Sequence, residues 1–318
     1  MNKKMILISG PTASGKTQIS LAIAESLQKK FAIINFDSLL FYKELNIGTA
    51  KPTKEEQEIC PHYLIDTNSI SSPMNASLFI EQAKEVVKQL ESDGITPILV
   101  GGSTFYLRAF IKGMADSVSV SLELREELAA ELENKGIEFF RTFLKEHDEA
   151  SYQSIHTNDH YRIMRAVEHF KVTGSPFSLE KEKMNDKNPY DFSQHNWPGW
   201  QFKHIYLDLP KEQHFEFIKE RTEKMLESGL EDEVRNLLAE GFSGEEKPMQ
   251  SIGYKETLGW INKQFKDRDE YRERINISTR QLAKSQRTFL KKVGPKDCFH
   301  PLQDKSKIIE QILAFMDQ

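Results

Sequence analysis

Residues 10–17 carry the clearest chemistry in this chain. Gly10, Pro11, Thr12, Ala13, Ser14, Gly15, Lys16 and Thr17 fit the pattern G-x-x-x-x-G-K-[ST]. Set between a strand and a helix, such a turn aims backbone N–H groups and a helix N-terminus at an anion. Lys16 adds a mobile positive charge, and the Thr17 hydroxyl can ligate Mg²⁺. The cradle suits a di- or triphosphate, and a kinase, an NTPase or an enzyme that expels diphosphate can all use it. Asp37 follows the second apolar run, and an open parallel sheet places it at the carboxyl edge beside the phosphate loop. A carboxylate there can ligate Mg²⁺ through water, cap a helix, or take a proton from an attacking group. The third apolar run ends in Val100, Gly101, Gly102 and Ser103, in place of the acidic residue typical of an NTPase metal site, which disfavours a plain ATPase. The paired glycines allow close backbone approach to a ligand. Ser103 either hydrogen-bonds substrate or caps the next helix.

Positioning these groups requires strands that alternate with helices. Compact apolar runs at 5–9, 31–36, 96–100 and 204–209 read as strands. Ile19, Ile23 and Leu27 recur at helical spacing after the phosphate loop, and a second helix is expected near 76–90. Alternation of this kind implies a parallel sheet. The sheet is interrupted over 115–200 by helical segments expected at 122–134 and 159–172 and a loop-like stretch at 181–200. Further helices are expected at 211–226, 230–239 and 270–293. The fold class is therefore α/β, with a P-loop NTPase-like parallel-sheet core (1–114 and 201–318) and an inserted, mainly helical domain (115–200).

The 318 residues give a net charge of -5 and only two cysteines, Cys60 and Cys298, so disulfide frameworks and Cys-rich zinc sites are excluded. The uncharged stretches are too short to span a bilayer, and the first ten residues read as a strand, not as a signal peptide. A cytoplasmic protein with no membrane partner is expected, monomeric by default. The acidic balance argues against a protein coated in positive charge, but the last long helix concentrates cations. Arg280, Lys284, Arg287 and Lys291 recur at spacings of four, three and four, with no acidic residue from 279 to 296 and with Leu282, Phe289 and Val293 opposite. A stripe of this kind suits a phosphate backbone or an ordinary solvated face. In the insertion Arg162, Arg165 and His169 share a helical face, with His169 read as a surface residue.

Three blocks, GPTASGKT (10–17), DSLLFYKELNIGTAKP (37–52) and GGSTFYLRAFIKG (101–113), together resemble the tRNA dimethylallyltransferases, also called tRNA isopentenyltransferases. Further blocks resemble the same family in the same order, among them PHYLID, IHTNDHYRIMRAVE, QSIGYKE and TRQLAKSQRTFL, so the resemblance spans nearly the whole chain. It implies transfer of a dimethylallyl group from dimethylallyl diphosphate to the exocyclic amino nitrogen of the adenosine immediately 3′ of the tRNA anticodon. The partners implied are tRNA, gripped at its anticodon stem loop, and dimethylallyl diphosphate, with Mg²⁺ on Thr17. By the same resemblance the general base falls on Asp37, a strand-end hydroxyl on Ser103 and a diphosphate-binding arginine on Arg221, whose other reading is a solvated charge beside Glu220 and Glu223. The tRNA contacts implied fall on Asp37, Ser38, Leu39 and Leu40, on Arg125, on Tyr161, Arg162 and Arg165, and on Gln250, Ser251, Ile252, Gly253, Tyr254 and Lys255. Four positions depart from the family pattern: Phe217 and Ser285 stand where arginines are usual, Phe289 where tryptophan is, and Ser103 where threonine is. A free adenine-nucleotide prenyltransferase needs the same loop and base, but gives the inserted domain and the basic helix no purpose. A small-molecule kinase and a non-catalytic RNA-binding protein with a relict loop are the other readings.

Overall fold

The computed structural model describes residues 3–27, 29–114, 120–180 and 188–318. The chain divides into two compact units, Met1–Lys112 with Tyr190–Gln318, and Gly113–Pro189. The first unit is built on a six-stranded sheet of β1 (Lys3–Ser9), β2 (Phe31–Asn35), β3 (His62–Tyr63), β4 (Thr96–Gly101), β5 (Trp200–Leu207) and β6 (Asp297–Phe299). Their spatial order is β3-β2-β4-β1-β5-β6. Every pairing is parallel, with Ile6 opposite Ile98 and Ile8 opposite Ile205. Met5, Ile6, Leu7 and Ile8 on β1 are all at most 1% exposed, because helices cover both faces of a parallel sheet. Each such side chain stabilises the fold by about 1.5–3 kcal/mol relative to exposure.

The four expected strands are present. The two edge strands β3 and β6, of two and three residues, are additions that the sequence pattern misses, since so short a run carries no periodicity. The helices Lys16–Ser26, Ala76–Ser92, Lys211–Glu227, Leu230–Ala239 and Arg268–Lys292 stand where helices are expected, and Lys305–Asp317 closes the chain against the first helix and β5.

The insertion runs over Gly113–Pro189, so its expected end at residue 200 is corrected. Residues 190–200 belong to the sheet unit. Phe192 and Trp197 are buried in its core, and the Trp197 indole N–H donates to the Phe110 carbonyl at 2.7 Å. The expected first residues of the insertion at 115–119, and residues 181–187 of the loop-like stretch, lie outside the described residues. Within the second unit, helices Leu122–Lys135, Ile137–His147, Glu149–Ser154 and His160–Thr173 gather around Leu128, Phe140, Leu144, Ile163 and Val167. His169 is buried there, 5.3 Å from the Phe177 ring, which corrects its reading as a surface residue: it lies on the helix's inward face with Ala166.

Candidate active site

The turn after β1 is shaped by its glycines. Gly15 has φ +79°, in the left-handed region, immediately before the helix Lys16–Ser26, and a side chain there would be strained. The Lys16 ammonium folds back onto the loop, donating to the Gly10 carbonyl at 3.1 Å and the Pro11 carbonyl at 2.9 Å. Burial pulls its pKa down to about 8, with Asp37 opposing that shift and Arg221 reinforcing it. Lys16 therefore remains mostly charged at neutral pH. The Ser14 hydroxyl is buried and has no hydrogen-bond partner among the described residues, an orphan inside a loop whose motif suits phosphate oxygens.

Asp37 sits two residues past the end of β2, in a turn pinned by Asn35, the strand's last residue. The Asn35 side chain accepts from the Asp37 N–H at 2.7 Å and donates to the carbonyls of Asp37 and Leu64. One carboxylate oxygen of Asp37 accepts from the Leu39 N–H at 3.2 Å. The Ser103 hydroxyl accepts from the Ser38 N–H at 3.0 Å and so ties the turns after β2 and β4 together. Those turns touch closely: a Cβ on Gly101 would lie 2.6 Å from the Phe36 ring. Arg221, nearly three turns into the helix Lys211–Glu227, donates to the Thr12 hydroxyl and to the Thr49 carbonyl, both at 3.2 Å. Burial lowers its pKa, with the Asp37 charge opposing. Its reading as a solvated surface charge is excluded.

Asp37, Ser103 and Arg221 border a cavity of about 310 Å³; Lys16 and Ser14 are not among its lining residues. Thr12, Asp37, Ser103 and Arg221 make its polar end; Ile218, Met225, Ile252 and Ile275 give it apolar walls. Two threonines add to the apolar side. The Thr222 hydroxyl donates to the Ile218 carbonyl and the Thr279 hydroxyl to the Ile275 carbonyl, so both are spent on their own helices. Along the helix Lys211–Glu227, Met225 stands one turn beyond Arg221, about 6 Å at 1.5 Å per residue. These wall residues come from segments far apart in sequence, which is why sequence reasoning could not find them. Ser285 and the exposed Leu282 also line the cavity.

Other expected site residues fall elsewhere. Tyr254 is fully buried, its hydroxyl donating to Glu233 at 2.5 Å, and so is an internal brace and no surface group. Glu233 also accepts from the N–H groups of Asn46 and Ile47, which shapes the loop whose Thr49 carbonyl meets Arg221. Leu40 and Ser251 are half-buried, while Gln250 and Lys255 are exposed. The expected basic stripe is divided. Lys284 and Lys291 are exposed, but Arg280 pairs with Glu273 and lies over the Phe215 ring, and Arg287 pairs with Asp208 at 2.8 Å. The partners of both arginines lie outside the acid-free window from 279 to 296. The buried face of the helix is Tyr271, Ile275, Asn276, Thr279, Ala283, Gln286 and Leu290, and Leu282 is not on it. In the second unit Arg125, Tyr161 and Arg162 are exposed, and Arg165 is ion-paired with Glu168.

Fold and site together define a parallel α/β protein whose Gly-rich first turn, two strand-end turns and two helices enclose a half-polar, half-apolar cavity. A family model described as IPP transferase matches residues 40–293, and the chain belongs to that family. It is 37% identical over 292 residues to tRNA dimethylallyltransferase 1 of Trichlorobacter lovleyi, covering 92% of each chain. It is 34% identical to the tRNA dimethylallyltransferase of Cytophaga hutchinsonii, over 95% of this chain and 94% of that one. The full-length tRNA isopentenylpyrophosphate transferase of Bacillus halodurans is similar in structure, with TM-score 0.69, 28% identity and coverage of 100% and 96%. A eukaryotic dimethylallyltransferase solved acting on tRNA aligns with TM-score 0.81 at 25% identity, over 99% of this chain and 79% of that one.

Proposed function

We propose that this chain is a tRNA dimethylallyltransferase: it moves a dimethylallyl group from dimethylallyl diphosphate to the exocyclic amino nitrogen of the adenosine immediately 3′ of the anticodon, releasing diphosphate. Family membership supports tRNA prenylation, and the observation that carries the chemistry is the cavity with a cationic, hydroxyl-bearing end and apolar walls. A prenyl diphosphate has the same division, an anionic head and a greasy five-carbon tail.

The largest catalytic task is to stabilise charge on the departing diphosphate. Lys16 and Arg221 supply fixed positive charge, and the loop N–H groups and the helix N-terminus supply dipoles. Residues 10–17 thus form the diphosphate cradle. Mg²⁺ fits by its donor chemistry, because in phosphate sites it takes one or two protein oxygens and fills the rest with substrate phosphates and water. The Thr17 hydroxyl would hold it directly and Asp37 through water, and the ion would neutralise charge on the leaving oxygens. Asp37 orients the weakly nucleophilic amino group and accepts its proton, through the carboxylate oxygen not held by Leu39. Ser103, whose oxygen already accepts from Ser38, keeps its own proton to donate to the substrate. The methyl-bearing faces of Thr222 and Thr279, with Met225 and Ile275, receive the tail and keep water from the allylic carbon. The exposed cations Arg125, Arg162, Lys284 and Lys291 contact tRNA phosphates.

Labelled dimethylallyl diphosphate with Mg²⁺, offered to unmodified tRNA and to free AMP, tests this. Label in tRNA alone, lost with Asp37→Ala, is expected. Label in AMP alone moves the chain to the nucleotide prenyltransferases, and ATP turnover with no label in either acceptor sinks the transferase reading.

A further inference from the structure

Thr12 is the most heavily held residue of the phosphate loop, and all its side-chain partners come from helices after the insertion. Its N–H donates to the Gln286 side-chain oxygen at 2.8 Å, and its hydroxyl accepts from Arg221. Gln286 in turn donates to the Gly102 carbonyl at 2.9 Å. The Thr12 carbonyl lies 2.8 Å from Nε2 of His214, a residue with no exposed surface. The other ring nitrogen, Nδ1, is 2.9 Å from an Arg287 guanidinium nitrogen. Arg287 is anchored by Asp208 at 2.8 Å and reaches the Leu209 carbonyl.

This arrangement fixes the histidine tautomer without reference to pH. A guanidinium can only donate, so Nδ1 must accept, Nε2 must carry the proton, and that proton must go to the Thr12 carbonyl. Asp208 thus accepts from and anchors Arg287, which donates to His214, which donates in turn to the phosphate loop.

We propose that His214, locked by Arg287 and Asp208, is a positioning residue that fixes the Thr12 peptide and with it the diphosphate-binding shape of the loop. The proposal rests on the diphosphate reading of that loop. It assigns Arg287 to the donor side of the reaction and removes it from the tRNA-binding stripe. The Pro11–Thr12 peptide is held by its N–H and the Thr12–Ala13 peptide by its carbonyl, so neither flips freely and neighbouring N–H groups stay aimed at phosphate oxygens before the donor arrives. Such preorganisation appears in affinity for the donor and its diphosphate product, not in affinity for the acceptor.

The test is equilibrium binding of inorganic pyrophosphate with Mg²⁺, and separately of tRNA without donor, to the full chain and its variants. His214→Ala and Arg287→Gln are expected to weaken pyrophosphate about fivefold to tenfold, the scale of one lost hydrogen bond, and to leave tRNA affinity at the wild-type level. His214→Gln, whose amide nitrogen can stand near the position of Nε2, is expected to recover most of the pyrophosphate affinity, whereas His214→Asn is not. Retained tRNA binding shows that each variant is folded, and Arg287, which is less deeply buried than His214, gives a second route should His214→Ala fail to fold. Equal losses for Ala, Asn and Gln at position 214 overturn the proposal, because packing alone would explain them. So does Arg287→Gln if it weakens tRNA and spares pyrophosphate. Failure of the wild-type chain to bind pyrophosphate overturns the diphosphate reading of the loop itself.

Discussion

In the sheet unit Arg221 reaches Thr12 and Thr49, and Arg287 reaches Asp208 and His214. In the inserted unit Arg125 is exposed on its helix, and Arg162, also exposed, pairs among the described residues with Asp159 three residues before it, at 3.3 Å. The first pair is fixed by partners up to 209 positions away in sequence; the second is tied to nothing distant among the described residues. Cations held this way can meet a reacting group with defined geometry, while cations presented on a helix surface supply attraction that tolerates movement. Residue type alone does not separate the two uses.

Breaking the fixed set should have the largest effect. Asp37→Ala is expected to lower kcat by about a thousandfold, and Lys16→Met by about a hundredfold, with tRNA affinity unchanged in both; single-turnover transfer and a tRNA binding assay check this. A large drop in tRNA binding in either variant would erase the contrast.

The apolar walls of the same cavity offer a sharper probe. Met225→Ala is expected to admit a ten-carbon geranyl tail and to weaken use of the five-carbon donor by about tenfold. Competition between dimethylallyl and geranyl diphosphate reads out both effects. An unchanged preference would place the tail elsewhere.

The exposed set should respond weakly and depend on salt. Arg125→Ala with Arg162→Ala is expected to raise the KM for tRNA several-fold, with the KM for donor unchanged. The slope of log affinity against log salt should become shallower by about one for each phosphate that the protein no longer neutralises. Salt titration of tRNA binding checks it.

The last effect concerns stability below neutral pH, not activity. Burial holds His204 down to a pKa of about 3, with Lys296 lowering it further, and its Nε2 meets the Ser9 hydroxyl at 2.7 Å. Unfolded, this histidine takes a proton near its ordinary value of about 6.5. The unfolded state therefore binds more protons as pH falls from 6.5 toward 3, and stability declines through that window by up to about 1.4 kcal/mol per pH unit. Urea titrations of wild type and His204→Asn should show a shallower decline in the variant.

How much of this could be read from sequence follows from how local each feature is. The phosphate loop, Asp37 and Ser103 sit at strand ends, where a short motif and an apolar run announce them together. The Arg287, His214 and Thr12 chain joins residues 73 and 202 positions apart, and no spacing rule links them. The same limit made the basic stripe look continuous: periodicity placed Arg287 on a face with Lys284 and Lys291, but Asp208 lies beside that face in space. The apolar walls were unreadable for a related reason, because Thr222 and Thr279 are apolar only once their hydroxyls are satisfied.

The two stems of the insertion meet within the sheet unit. Lys112 donates to the carbonyls of Asp191 and Gln194. In return the Asn196 backbone N–H donates to the Ile111 carbonyl and its side-chain amide to the Lys112 carbonyl. Entry and exit are thereby stapled together on a core that closes without the intervening residues. The insertion is in effect a cassette with a fixed socket: replacement of residues 113–189 by a short linker is expected to leave the sheet unit folded, which a thermal melt of the shortened chain checks.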